Sequence, residues 1–319
     1  MIKIMPDHLF IHKIAMIADY YYPPGGVKYE SQWSHLNKAF TDEVIPFMKP
    51  NSIIFADTLW LDRFELFNKI QVPFILITAE ADVTIPYNNY HNKIDCCYSV
   101  LDNPLLIKWF SINVDEYHPK LVPIPIGLPK HIPFIVKDAT SDYMGWIIPF
   151  TIHKVSDYIS SKRICIKDNI MRSSKKLLYS RMTLENSDNS YHSREGIRRD
   201  AVSVLISNNF SIDTSLIPWE EYIDELCEYK FCLSLPGKGM DCYRTWEALT
   251  LGVIPIVMKT EHMGSIYDNL PVVIIERVEE VTEEFLEKKF EEIKIKADEY
   301  DYIKLSSSYW IDMIFSTIY

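Results

Sequence analysis

Residues 231–258 run apolar, break, and run apolar again, in an order that few folds accommodate. Residues 231–235 form an apolar run of strand length. Residues 236–239, Pro-Gly-Lys-Gly, are a breaker cluster. Asp241 has the side chain of an N-cap, residues 243–251 continue without a breaker, and Gly252 suits the position just beyond a helix. Residues 253–258 are β-branched and apolar, which predicts a second strand. Parallel strands need a crossover between them, usually a helix. The stretch therefore predicts an α/β chain with a parallel sheet.

The turn between the first strand and the helix has the chemistry of an anion site. Gly237 and Gly239 permit close approach of backbone to a ligand. The helix start offers unpaired N–H groups and partial positive charge. Lys238 and Arg244 add full charges, and an Arg can fork onto phosphate oxygens. Glu247 follows Arg244 by three residues, on the same helix face, where a carboxylate can accept from a ribose diol. The residues alone leave a second reading open: a plain turn, with Arg244 and Glu247 as a surface pair. A lone Gly-x-Gly does not separate the two.

The run Leu-Pro-Gly-Lys-Gly-Met-Asp-Cys-Tyr-Arg-Thr-Trp-Glu-Ala-Leu-Thr-Leu-Gly-Val-Ile-Pro-Ile-Val resembles the C-terminal signature of exostosin-like glycosyltransferases. That signature orders a Pro-Gly turn, an Arg, Glu-Ala and Gly-x-x-Pro. Weaker resemblance covers residues 78–86, 109–128 and 219–286. The resemblance implies two facing Rossmann-like domains, the GT-B architecture. It implies an inverting transfer of a sugar from a nucleotide-diphosphate sugar, UDP- or GDP-linked, to a glycan or glycoprotein hydroxyl, without a bound metal. The donor site it implies comprises Arg181, Arg198, Ser234, Pro236, Gly237, Lys238, Gly239, Arg244 and Glu247. Residues 1–150 are expected to form the acceptor domain and 151–300 the donor domain. Residues 301–319 form a helix expected to return to the first.

With 319 residues the chain can build two cores. Its formal charge of -11, from 33 basic and 44 acidic side chains, argues against nucleic acid as a partner. The six cysteines show no metal spacing and lie mostly in apolar surroundings, as reduced thiols do. No apolar run has membrane-spanning length. Charges and histidines in residues 1–13 do not suit a signal peptide. A cytoplasmic protein is expected, with a viral protein in a host cytoplasm compatible with the Ile-, Lys-, Asn- and Tyr-rich composition.

Along the first half, residues 13–18, 52–56 and 73–78 read as strands, and 30–40 and 59–70 as helices. These strands would deliver Asp19, Asp57, Glu80 and Asp82 to one carboxyl edge, where α/β proteins bind ligands. An inverting transferase needs a base for the acceptor hydroxyl. Asp82 is the first candidate, with Glu80 and Asp57 in reserve and His118 as a further one. Glu80-Ala-Asp82 also has the form of an acid-x-acid metal motif, so a metal-dependent transferase is a competing reading. A nucleotide-sugar- or glycan-binding protein without catalysis is another. The tyrosines at 20–22 either stack on sugars or pack beneath the domain edge. Residues 95–100 and 210–214 read as strands, 104–110, 218–227 and 281–295 as helices. Residues 132–162 read as a linker with opening helices. A strand at 176–180 brings up Arg181, and a basic helix follows at 194–206, from which Arg198 or Arg199 can reach a diphosphate.

Overall fold

The computed structural model describes residues 7–22, 38–58, 64–86, 94–129, 151–162, 166–172, 175–185 and 196–318. Two sheets organise them. The first contains β1 (Tyr20–Tyr22), β2 (Lys38–Ala39), β3 (Ser52–Asp57), β4 (Phe74–Ala79), β5 (Leu106–Ser111) and β6 (Leu121–Pro123). Their order is β2-β1-β3-β4-β5-β6, with every neighbouring pair parallel. The second contains β7 (Lys176–Tyr179), β8 (Tyr229–Leu233), β9 (Ile254–Met258) and β10 (Val273–Ile275). Its order is β10-β9-β8-β7, again all parallel. The expected α/β class is what these residues adopt.

The unit that most constrained the sequence forms as a strand, a turn, the helix Tyr243–Thr250 and a strand. Gly252 follows the last helical turn at φ +65°, and a Cβ there would lie 2.6 Å from the Ile166 carbonyl oxygen. Only glycine closes the helix in that space. Parallel sheets are buried on both faces, and the alternation of side chains shows it. Phe231 and Leu233 of β8 pack with Phe290 and Ile293 of the helix Glu283–Ile295. Cys232, between them, joins the other cluster with Trp246 and Leu249. That cluster is continuous with the core of the first sheet.

Several elements differ from expectation, for physical reasons. The apolar run near residue 13 forms the short helix Ile11–Ala15, burying Phe10, Ile11, Ile14 and Ala15; the strand comes next, as β1. Asp19 consequently stands at the amino edge and accepts from Ile53 N at 2.9 Å, away from the carboxyl edge. Residues 95–100 belong to the helix Ile94–Leu101, whose Cys97, Val100 and Leu101 are buried at helical spacing. Residues 106–111 are a strand where a helix was expected. Short apolar runs carry no decisive period, and neighbours in the sheet settle them. Residues 210–214 form no strand. Residues 64–69 form a 3-10 helix; residues 59–63, and 30–37 of the other expected helix, lie outside the described residues, as do 132–150 of the expected linker. The tyrosines of β1 pack inward: Tyr21 stacks on Phe55 at 5.6 Å, and Tyr22 meets Phe40 and Phe67.

The two carboxyl edges meet. Asn113, beyond β5, accepts through Oδ1 from Met240 N at 3.0 Å and Asp241 N at 2.9 Å, beyond β8. Ile126 N, beyond β6, donates to Asp241 Oδ2 at 2.8 Å. Val114 N donates to Met263 Sδ at 3.1 Å, beyond β9. At the other end of the chain, the helix Ser307–Phe315 packs on the N-terminal helix, with Phe10 N donating to Ser307 Oγ at 3.0 Å. Among the described residues, no helix is long and apolar enough to cross a membrane.

Candidate functional site

The turn 236–241 sits in this seam, and each of its residues is held differently. Ser234 is buried and shares a 2.8 Å hydrogen bond with Thr245 Oγ1, tying β8 to the helix behind it. Pro236 and Gly237 are buried, and Gly237 N donates to Gly239 O at 3.1 Å. Lys238 is the exposed member of the turn. Gly239 is required by the protein itself: a Cβ there would lie 2.7 Å from Asn113 Nδ2. Its expected role, close approach to a ligand, is therefore taken by a side chain of the first sheet.

Asp241 does not cap the helix; Cys242 occupies that position without a side-chain cap bond. Asp241 is 3% exposed and collects four donors: Ile126 N, Cys242 N, Trp246 Nε1 and Tyr267 Oη. Burial raises its pKa to about 6 against the pull of these donors.

Arg244 stands at the second position of the helix Tyr243–Thr250. The residue is half-buried, yet its Nε and Nη1 are sealed from solvent and have no hydrogen-bond partner. Burial opposes its charge, but Tyr222, Cys232, Cys242 and Glu247 together hold its pKa above the ordinary value. Glu247 is 4% exposed. Its Oε1 accepts from Trp219 Nε1 at 2.8 Å and its Oε2 from Tyr222 Oη at 2.9 Å. Burial raises its pKa, and Trp219, Tyr222 and Arg244 offset the rise. A surface pair is excluded for these two residues, since Glu247 is interior.

Two arginines expected to bind phosphate are engaged inside the protein. Arg181 pairs with Asp213 at 2.6 Å and Glu225 at 3.2 Å, and donates to the Ser215 carbonyl at 2.9 Å. Arg198 is 5% exposed and donates to the carbonyls of Thr183, Leu235 and Pro236, so it supports the turn from behind. Arg199 faces solvent, 3.9 Å from Glu185.

No family model matches the chain, and no curated protein sequence matches it. Among solved structures it is similar to an OtsA apo structure (TM-score 0.43, 8% identity, covering 87% of this chain and 75% of that one). It is similar to a UDP-forming α,α-trehalose-phosphate synthase from Burkholderia xenovorans (TM-score 0.42, 9% identity, 86% and 75%). A third is an E. coli trehalose-6-phosphate structure bound with UDP-2-fluoro glucose (TM-score 0.43, 8% identity, 87% and 75%). A likeness of this degree assigns neither activity nor substrate.

Across the seam, the acidic candidates separate. Asp57 ends β3 and is half-buried. Glu80 follows β4 at φ +79°, and its Oε1 lies 2.8 Å from His12 Nε2. That contact engages one carboxylate of the acid-x-acid pair. Asp82 is half-buried on the same loop. Burial raises its pKa, and the charges of Lys238 and Arg198, from the other sheet's loops, offset part of the rise. Asp82 and Lys238 thus feel each other across the seam. His118 lies at the opposite, amino edge, just before β6, with Nδ1 accepting from Lys120 N at 3.2 Å, and is remote from this group. Among the described residues no three His, Cys, Asp or Glu side chains cluster as metal ligands do. The sequence reading missed Asn113, Asp241, Trp219 and Tyr222. An Asn two residues beyond an apolar run, tolerant of the left-handed region, was the available signal for Asn113.

Proposed function

We propose that this chain is a glycosyltransferase that moves a sugar from a nucleotide-diphosphate sugar to a hydroxyl of a glycan acceptor. The observation that carries the reading is Arg244, with two guanidinium nitrogens sealed and unpartnered at the start of an eight-residue helix. Burying unsatisfied donors costs about 1–3 kcal/mol each, more for charged groups. An anion at the helix start removes that cost, and a diphosphate supplies the paired oxygens that a guanidinium forks.

In this reading the nucleotide side belongs to the second sheet. Arg244 and the exposed Lys238 neutralise the diphosphate, which gains charge as it leaves. Glu247 fixes Trp219 and Tyr222 beside Arg244, and since each of its oxygens accepts only one of these hydrogen bonds, the carboxylate keeps lone pairs for the expected ribose contact. From the first sheet, Asp82 takes the proton of the acceptor hydroxyl. The acceptor oxygen then bonds to the anomeric carbon as the bond from that carbon to the phosphate oxygen breaks, and the electron pair leaves on the phosphate. Attack from the face opposite the leaving group inverts the anomeric centre. The raised pKa of Asp82 makes it a stronger base than a solvent-exposed carboxylate.

Calorimetric titration with UDP and GDP, and a turnover assay with their sugars, tests this. Arg244→Gln should weaken nucleotide diphosphate binding by about tenfold or more. Asp82→Asn should bind within about threefold of the unaltered chain and lose turnover. Failure of the unaltered protein to bind either nucleotide, or unchanged binding by folded Arg244→Gln, overturns the reading.

A further inference from the structure

The first sheet also presents an unpartnered donor to the seam. Asn113 is fully buried, at φ +55°, and its Nδ2 has no hydrogen-bond partner. The orientation of its amide is settled by its neighbours. Oδ1 faces two backbone donors, Met240 N and Asp241 N, and turning the amide over would set N–H against N–H. The NH2 group is therefore held against the turn, over Gly239, with no acceptor for its hydrogens. Buried amide nitrogens are nearly always paired, so an orphan of this kind calls for an acceptor. Gly239 makes room for this amide and for nothing larger.

Groups on the loops that meet in the seam indicate what that acceptor is. Lys238, next in the turn, is the exposed cation, and Arg244 is the buried one with unsatisfied nitrogens. Thr260, beyond β9 on the loop that carries Met263 to Val114, has a buried hydroxyl that also lacks a partner. Donors from three loops and two full positive charges favour an oxyanion. Resting on the proposed function, we infer that Asn113 Nδ2 donates to an oxygen of the donor's sugar-proximal phosphate. That phosphate is the part of the ligand nearest the acceptor-side sheet, and Asn113 is the contribution of that sheet. Asn113 would then tie ligand occupancy to seam closure, since the same side chain grips the turn through Oδ1 and the phosphate through Nδ2.

Asn113→Asp separates the two halves of this side chain. It keeps acceptor oxygens for Met240 N and Asp241 N but replaces the donor with negative charge. Binding of UDP, GDP, UMP and GMP is measured by calorimetry on the unaltered protein, on Asn113→Asp and on Asn113→Ala, with thermal melting as the check on folding. The expected result is a loss of about tenfold or more for the diphosphates in Asn113→Asp, with the monophosphates within about threefold. Asn113→Ala should lose diphosphate affinity less than Asn113→Asp, because it removes the donor without adding repulsion. Equal diphosphate binding by folded Asn113→Asp and the unaltered protein overturns the assignment while leaving the proposed function standing. So does an equal loss for mono- and diphosphates, which marks a purely structural residue. Absence of nucleotide binding by the unaltered protein overturns both.

Discussion

Asp241 offers the most quantitative test of how the two sheets are joined. In Asp241→Ala, Ile126 N, Cys242 N, Trp246 Nε1 and Tyr267 Oη all lose their acceptor. At about 1.5 kcal/mol for each buried donor left without a partner, the gross loss is about 6 kcal/mol. A gain opposes it. The carboxyl's pKa rises from 3.8 unfolded to about 6 folded, so at pH 7 keeping it ionised in the native state costs about 3 kcal/mol, which the variant no longer bears. The expected net destabilisation at pH 7 is about 3 kcal/mol.

The sign of the pH dependence follows from the same shift. A group whose folded pKa is raised contributes stability that is complete below its unfolded pKa and is lost as pH rises through its folded one. For Asp241 that window runs from about 4 to about 6. Below it the native protein holds the proton and the opposing gain vanishes. The stability gap between the unaltered protein and Asp241→Ala should therefore widen by about 1 kcal/mol between pH 7 and pH 5. Urea denaturation of both proteins at the two pH values measures the gap, and all other titrating groups cancel in the difference. A gap that narrows on acidification would refute the assignment of a buried, ionised Asp241.

Three further outcomes follow from the geometry. Gly239→Ala should destabilise by about 1–3 kcal/mol, because Asn113 is pinned by two hydrogen bonds and cannot yield to the new Cβ; a melting temperature equal to the unaltered protein's would contradict this. Arg181→Ala should cost roughly 1 kcal/mol of stability through its pairs with Asp213 and Glu225, while nucleotide affinity measured by calorimetry stays unchanged. With Asp82 as base, kcat at saturating donor should fall on acidification with a midpoint above the usual carboxylate value of about 4. In Lys238→Ala that midpoint should move to higher pH, since a charge favouring the ionised form is gone; movement the other way would dissociate the two residues.

The strand–turn–helix–strand unit was legible because its period, its breakers and Gly252 all agree on one local structure. Elements that failed were short, with too few residues to show a period. Residues 95–100 lie in a helix that buries Cys97, Val100 and Leu101 on one face, yet read equally as a strand when the sheet that excludes them is unknown. The error at residues 13–18 carried further: one displaced strand moved Asp19 from the carboxyl edge to the amino edge. Among the site candidates, charge was readable but engagement was not. Arg181 and Arg244 look alike in sequence, and only the fold shows that the first is saturated by carboxylates while the second keeps orphaned nitrogens. Asn113 offered only a local signal, its tolerance of the left-handed region, because its role depends on a loop more than a hundred residues away.

Three backbone N–H groups of the seam are accepted by two side chains, Asn113 and Asp241, rather than by a strand ladder. A ladder would fix the two sheets edge to edge along its length, whereas these two side chains clamp them at points. Trp246 and Tyr267, stacked with ring centroids 5.9 Å apart, both donate to Asp241, so they stabilise its ionised form against the burial that raises its pKa. The helix that presents Arg244 carries Trp246 two residues later, so one helix both closes the clamp and aims the unpartnered cation. Perturbing the clamp should therefore alter anion binding even though no clamp atom need touch the anion, and the nucleotide affinity of Trp246→Phe, which removes the indole donor but keeps the ring, isolates that coupling from simple loss of packing.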